Sequence, residues 1–207
     1  DYILHEHATI PSDRGVFLPN TFRMHPDLCS VISNQIYEGR LSTDLKTKNY
    51  CIETKGPLIT KKSGICFIPI KHQGNTQGSE EEVLKINEIV HELLGTPFWS
   101  ENGDDDPRMI SWDDILIVAP YNHQVNLLEE NLGVDAKIGT VDRFQGKEAP
   151  IVIVSMCASD ASESSRGIEF IFSKNRLNVA LSRAQALAIV VGSPELAITP
   201  VISLEQM

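Results

Sequence analysis

The sequence has little of what would assign it to a class at once. It contains no apolar run long enough to span a membrane, and no basic segment followed by an apolar one stands at its N-terminus. Its cysteines are scattered, without the paired spacing of disulfide frameworks or zinc sites; they are Cys29, Cys51, Cys66 and Cys157. We therefore predict buried thiols in a reducing, cytoplasmic compartment, and no membrane partner.

Positive charge is also scarce. The 207 residues, enough for one domain with a sizeable core, carry 18 lysines and arginines against 28 aspartates and glutamates, a net charge of −10. Overall charge therefore disfavours tight nucleic-acid binding, because phosphates are neutralised by clustered Lys and Arg. A local basic track or a partner domain could still supply such contacts. Much of the acidity lies in residues 101–106, which we predict to form an exposed loop.

A phosphate-binding loop and a metal site are missing as well. The nearest match to the loop, residues 56–63, has Lys61 where the second glycine should stand, and that glycine lets backbone N–H groups wrap a phosphate. His5 and His7, two residues apart, would point away from each other on a helix. We predict neither a P-loop nor a metal site in this chain.

Apolar runs of strand length alternate with helical patterns. Strands are predicted at residues 65–70, 115–119, 136–141, 151–155 and 187–192, and helices after Pro26, after the capping box of Ser79 and Glu82, and after Pro120. Residues 40–63 show no period and are predicted to be loop. The alternation indicates an α/β fold with a mostly parallel sheet flanked by helices. Since ligands of such sheets bind outside the carboxyl ends of strands, we expect residues 20–26, 120–124 and 155–160 to lie there.

Residues 175–184 (NRLNVALSRA) are typical of an amphipathic helix. At 100° per residue, Leu177, Leu181 and Ala184 fall on one side, while Arg176 and Arg183 lie on nearly one line of another. Two guanidinium groups with a small residue between them suit a large anion such as a phosphate. A solvated helix with two surface arginines is the alternative.

Residues 139–148 (GTVDRFQGKE) join two predicted strands with a glycine, a hydroxyl, carboxylates and cations. By itself this mixture is as consistent with a structural loop as with a binding loop.

Four stretches together resemble the helicase motifs of superfamily 1, in the branch of the nonsense-mediated-decay RNA helicase and its DNA-helicase relatives. They are residues 22–26 (FRMHP), 119–124 (APYNHQ), 139–148 and 175–184, and their order and spacing agree from about residue 15 to residue 194. Residues 166–170 (RGIEF) further resemble bacterial members of that branch. Some of those members carry a RecB-like nuclease domain, which this sequence does not contain.

The resemblance implies a RecA-like fold of the P-loop NTPase type without the P-loop itself. Residues 15–198 would be the second, C-terminal RecA-like domain of an ATP-dependent helicase. Residues 1–14 would be a helical segment continuing from a missing upstream RecA-like domain, and residues 199–207 a C-terminal tail. ATP with Mg²⁺ would lie between the two domains and be bound mainly by the missing one. The fragment alone should therefore not hydrolyse ATP.

The resemblance also assigns residues to the nucleotide. Arg183 and Arg23 would be catalytic, as arginine fingers on the γ-phosphate, which carries much of the charge during phosphoryl transfer. Phe22 would stack on adenine in place of the family's usual Tyr, and Thr21 replaces a common Gln. Gly146 and Glu148 would lie on the ribose side.

Single-stranded DNA or RNA would lie across the top of the domain. Thr140 would contact a backbone phosphate, and Pro120 and Tyr121 would lie against the strand, with Tyr121 able to stack on a base. His123, Gln124 and Asn178 are weaker candidates. Asp142 would hold the loop by hydrogen bonds, and Arg176 would pair with a carboxylate. The alternatives are a nucleotide-binding or regulatory α/β domain without a motor role, and a protein-interaction module.

Overall fold

The computed structural model describes residues 9–11, 13–100, 107–160, 170 and 173–198. The predictions for residues 1–8, the acidic loop 101–106, residues 166–169 and the tail lie outside the described residues. No described helix is both long enough and apolar enough to cross a membrane. The cysteines are free thiols: Cys29 and Cys157 are buried, whereas Cys51 and Cys66 are half-buried.

Short strands precede and flank a central group of longer ones. The described strands are β1 (Asn20–Thr21), β2 (Ser42–Thr43), β3 (Cys51–Ile52), β4 (Gly64–Pro69), β5 (Pro97–Trp99), β6 (Arg108–Met109), β7 (Ile115–Val118), β8 (Lys137–Gly139), β9 (Ala149–Ser155) and β10 (Ala184–Gly192). The described α-helices are α1 (Pro26–Ile36), α2 (Glu80–Leu93), α3 (Asn122–Leu132), α4 (Lys174–Leu181) and α5 (Pro194–Ala197).

The central sheet has the strand order β4-β10-β9-β7-β8, and all its pairs are parallel. The strand β4 lies at the edge of this sheet, where Pro69, a residue without an N–H, is tolerated. The strands β1 and β2 form a separate parallel pair, and β3, β5 and β6 form a small antiparallel sheet. The predicted α/β architecture with a mostly parallel sheet is confirmed.

Local sequence explains where the helices begin and end. His25 caps α1 through a hydrogen bond from the Asp27 N–H to its Nδ1, and Pro26 occupies the first helical position. Ser79 caps α2 by accepting from the Glu82 N–H. Gly133, at a φ of 83°, ends α3 in a backbone conformation that glycine adopts without strain.

Helices cover both faces of the sheet, which explains the continuous apolar strands. In β7, Ile115 and Ile117 pack in the layer that contains α2 and α3, whereas Leu116 and Val118 face the layer with α1 and α4. All four residues are buried. Because neighbouring strand residues point to opposite faces, burial of both faces requires apolar side chains at every position.

Three expectations about local structure are wrong. Residues 40–63 contain β2, a 3₁₀ helix at Leu45–Asn49 and β3, none of which joins the central sheet. The helix predicted for residues 175–184 ends at Leu181, because the residues that follow pair with β9 instead. The Ala149 N–H donates to the Arg183 carbonyl, and Ala184 begins β10. Residues 20–26 follow no central strand, since β1 pairs with β2.

Candidate functional site

Three separate segments converge at the amino ends of β9 and β10. Arg23, just before α1, donates from Nε to Glu148 Oε2 at 2.5 Å and from Nη1 to the Ser182 carbonyl at 3.1 Å. The second Glu148 oxygen accepts from Gln185 Nε2 at 3.0 Å. A backbone hydrogen bond holds the segment of Arg23 against the start of β10, because the His25 N–H donates to the Gln185 carbonyl at 2.7 Å. Sequence reasoning missed Gln185, which had no distinguishing signal beyond following Arg183 by two residues.

Arg183 adds a second guanidinium to this cluster. The hydrogen bond from Arg23 is the main reason that the pKa of Glu148 is held below its usual value, and the charges of Arg23 and Arg183 lower it further. Desolvation lowers the pKa of Arg183, and the positive charge of Arg23 lowers it again. The charges of two guanidinium groups thus act on one carboxylate, and of the two only Arg23 donates a hydrogen bond to it.

The cluster also holds an unused donor. Arg183 Nε is buried and finds no hydrogen-bond partner among the described residues. A buried donor without a partner costs about 1–3 kcal/mol. An anion with several oxygens would relieve the repulsion between the two guanidinium groups. The arrangement therefore suits a phosphate better than it suits the free state.

Phe22 and Gly146 flank the cluster in sequence. The Phe22 side chain, next to Arg23, is 71% exposed, which is unusual for a large aromatic residue and leaves its ring available for stacking. Gly146, two residues before Glu148, has a φ of 81° and open space where a Cβ would lie.

A cavity of about 360 Å³ lies at the other end of the central strands, past the carboxyl ends of β7 and β8; we call this end of the sheet the carboxyl edge, and the end with the arginine cluster the amino edge. Pro120, Tyr121 and Thr140 line it, together with Asp142 and Arg176. His123 lines it too, so the structure brings together four of the six residues predicted to contact a strand. Because β9 has seven residues at about 3.3 Å each, roughly 20 Å separates this edge from the arginine cluster.

A family model described as an AAA domain matches residues 3–195. The chain belongs to this family, among the superfamily 1 helicases. It is 32% identical over 185 residues to an uncharacterized ATP-dependent helicase of Caenorhabditis elegans, covering 84% of this chain and 11% of that protein. It is 29% identical over 203 residues to the Regulator of nonsense transcripts 1 homolog of Drosophila melanogaster, and this match covers 93% of this chain and 16% of that protein.

A third relative is the ATP-dependent helicase upf1 of Schizosaccharomyces pombe, 30% identical over 186 residues, with 84% of this chain and 19% of the relative covered. The chain thus spans between 11% and 19% of the lengths of these three curated relatives. The expected resemblance to the nonsense-mediated-decay helicase branch is confirmed, and the arrangement of sheet and helices is the RecA-like fold of these helicase domains.

The structure places two of the residues predicted to contact a strand outside the lining of this cavity. Gln124 is fully buried: its Oε1 accepts from the Ser79 N–H at 2.7 Å, and its Nε2 donates to Ser155 Oγ at 2.9 Å. It ties α3 to α2 and β9, and it cannot reach a ligand. Asn178 faces α1, where its Nδ2 donates to the Tyr37 hydroxyl at 2.9 Å, and it does not line the cavity.

Tyr121 lies in the cavity wall but is mostly enclosed. Its side chain is 5% exposed, and its ring packs against that of Phe170 with the ring centroids 5.2 Å apart. Stacking of a base on Tyr121 would therefore require Phe170 to move. The ring is better placed to shape the cavity than to receive a base directly.

The two arginines of residues 175–184 do not share a ligand site, contrary to the amphipathic-helix interpretation. Arg176, in the first turn of α4, lines the cavity at the carboxyl edge, and its guanidinium lies 4.2 Å from the centroid of the Phe170 ring. Arg183, beyond the last turn, belongs to the cluster at the amino edge. The expected carboxylate partner of Arg176 is not found in the described part of the chain.

A buried polar network joins α2 to the carboxyl end of β9, and the sequence did not reveal it. Glu82, fully buried, accepts from the Cys157 N–H at 3.0 Å and from Ser155 Oγ at 2.6 Å. It also lies 3.0 Å from His72 Nε2, and His72 Nδ1 lies 2.8 Å from Ser159 Oγ. The capping box is therefore only half formed, since the Glu82 carboxylate does not return to Ser79.

The order serine, histidine, carboxylate in this network also occurs in hydrolases. Here, however, Ser159 is 3% exposed and its hydroxyl accepts from the Asn75 N–H at 2.9 Å. A nucleophile so enclosed cannot meet a substrate. The network instead fixes the backbone where β9 ends, including Cys157, whose φ of 53° is unfavourable for a residue with a side chain.

Proposed function

We propose that this chain is the second RecA-like domain of a superfamily 1 helicase, spanning residues 15–198. Its amino-edge cluster would complete an ATP site whose P-loop belongs to an upstream RecA-like domain, and its carboxyl-edge cavity would hold single-stranded nucleic acid. The convergence of Arg23, Glu148 and Arg183 carries this proposal. The charges of two guanidinium groups act on one carboxylate there, and a γ-phosphate would neutralise the remaining positive charge.

The residues fit ATP without Mg²⁺ ligands of their own. Arg23 and Arg183 would approach the γ-phosphate oxygens, Glu148 and the backbone at Gly146 would lie on the ribose side, and Phe22 would stack on the base. When bound, Mg²⁺ would neutralise charge on the phosphates, held mainly by carboxylates of the upstream domain. This chain alone would then bind nucleotide weakly and hydrolyse none.

The geometry also supports a coupling between the two ligands. Residues 139–148 run from the cavity, at Thr140, to the arginine cluster, at Glu148. The helix α4 lies between the two sites, with Arg176 in its first turn and Arg183 just beyond its end. ATP would draw the two domains together, because its phosphates bind groups on both. Hydrolysis would weaken that bridge, and the change at Glu148 would shift the contact at Thr140.

The test is Arg183→Ala in the full-length protein. We expect kcat for ATP hydrolysis to fall about 10³-fold or more, the range for loss of an arginine finger, while the affinity for ATP changes by only a few-fold. Arg108→Gln is the matched control: it removes a guanidinium from the small sheet, away from both sites, and should leave hydrolysis unchanged. Normal turnover in Arg183→Ala would remove Arg183 from the mechanism.

A second measurement separates the motor from its alternatives. Wild-type ATP hydrolysis should rise severalfold on addition of single-stranded DNA or RNA. A protein that binds ATP but shows no such stimulation would be a nucleotide-binding or regulatory domain. One that binds neither ligand would be a protein-interaction module. For the whole protein, we also propose a cytoplasmic location and, from the resemblance of residues 166–170 to bacterial members of the branch, a fused RecB-like nuclease domain.

A further inference from the structure

Arg176 differs from most other arginines in having no polar partner among the residues that the structure describes. In the described ranges, Arg14, Arg23, Arg108 and Arg143 each pair with a carboxylate, and Arg40 donates to the Thr9 hydroxyl. Only the side chains of Arg176 and Arg183 have neither kind of partner there. In a chain with 28 acidic residues against 18 basic ones, an unpaired guanidinium beside a cavity calls for an explanation.

The Arg176 side chain is nevertheless held in one orientation. The guanidinium lies over the Phe170 ring at 4.2 Å, and Phe170 packs in turn on Tyr121. Stacking on a ring uses the face of the guanidinium and leaves the N–H groups at its edge free to donate. All three side chains line the cavity of about 360 Å³ together with Thr140.

We propose that Arg176 binds a backbone phosphate of single-stranded nucleic acid in this cavity, with Phe170 as the residue that positions it. The inference rests on the proposed function, because it takes the cavity to be the strand site. Among the described residues that line the cavity, Arg176 is the one with a permanent positive charge: Thr140 offers only a hydroxyl, and Asp142 carries a negative charge. The ligand chemistry is a phosphodiester rather than a base, since the guanidinium face is already covered by Phe170.

The salt dependence of binding tests this assignment directly. The logarithm of the affinity for a single strand falls with the logarithm of salt concentration by about 0.7 for each phosphate that is neutralised. We would measure fluorescence anisotropy of labelled 20-mers of deoxythymidine and of uridine with the full-length protein, between 50 and 300 mM salt. Arg176→Gln should weaken binding roughly tenfold at 100 mM salt and reduce the slope by about 0.7.

Two further variants give readouts that a loss of folding would not produce. Phe170→Leu removes the ring but keeps the charge of Arg176, so binding should weaken several-fold with the slope retained. Arg108→Gln removes another guanidinium that lies over a ring, that of Phe98, outside the cavity, and it should leave both affinity and slope unchanged. Arg176→Lys, which keeps the charge without the planar fork, should retain the slope and bind less tightly than wild type.

The possible results separate this inference from the function on which it depends. If wild-type protein binds the 20-mers and Arg176→Gln keeps the wild-type slope, Arg176 does not bind phosphate and the inference alone fails. Weaker binding with an unchanged slope in Arg176→Gln would indicate base stacking and would also overturn it. If wild-type protein binds neither oligonucleotide, the strand site itself is wrong.

Discussion

Removal of the Glu82 carboxylate should destabilise the chain more than most single substitutions do. In Glu82→Ala, the Cys157 N–H and the Ser155 hydroxyl lose their acceptor inside the protein, and His72 Nε2 loses its partner. Each unsatisfied buried group costs about 1–3 kcal/mol, and breaking a buried charged network by removing one member costs about 3–5 kcal/mol. We expect the free energy of unfolding of Glu82→Ala to fall by about 3–5 kcal/mol. For a chain of this size, that corresponds to a melting temperature roughly 6–20 °C lower.

Thermal unfolding followed by circular dichroism measures this effect. Glu88→Ala is the matched control on the same helix, because Glu88 is exposed and pairs only with Lys85. It should cost less than about 1 kcal/mol. A loss below about 1 kcal/mol in Glu82→Ala would refute the reasoning, since the network would then not be holding α2 to β9.

Two further predictions concern the arginine cluster. Phe22→Ala in the full-length protein should raise KM for ATP about tenfold by removing a stacking surface, whereas Phe22→Tyr should keep KM near the wild-type value; equal KM values in all three proteins would exclude base stacking at Phe22. The lowered pKa of Glu148 means that its ion pair with Arg23 stabilises the fold above the usual glutamate pKa of about 4.3 and is lost as pH falls through the lower, folded value. Arg23→Gln should therefore bring the pKa of Glu148 back toward its usual value in a carbon-13 NMR titration, and an unchanged pKa would show that Arg23 is not its cause.

The central strands could be predicted from the sequence because each is encoded locally. The apolar runs at residues 115–119, 151–155 and 187–192 coincide with β7, β9 and β10, since a strand buried on both faces must be apolar throughout. The helix starts at Pro26 and Ser79 were equally local. The end of α4 was not: residues 182–184 contain no glycine or proline, and β9 draws them into the sheet from a distant part of the sequence.

The candidate sites could be predicted only as far as the motifs reach. The motifs assigned Arg23, Glu148 and Arg183 to the nucleotide site, and the structure brings these residues together. Motif matching could not tell that Gln124 is buried, because its partner Ser79 lies 45 residues away. Nor could it tell that Arg176 and Arg183 face opposite edges of the sheet. Both facts depend on tertiary packing, which a linear pattern does not contain.

The short helix α4 has a consequence for energetics. Its eight residues form a rod of about 12 Å, with Arg176 in its first turn and Arg183 just beyond its end. If Arg183 binds the nucleotide and Arg176 binds the strand, this helix couples the two binding equilibria. Thermodynamic reciprocity between the two affinities then applies. Whatever factor a nucleotide imposes on the affinity for the strand, the strand must impose on the affinity for that nucleotide, and titrations from either direction should return the same number.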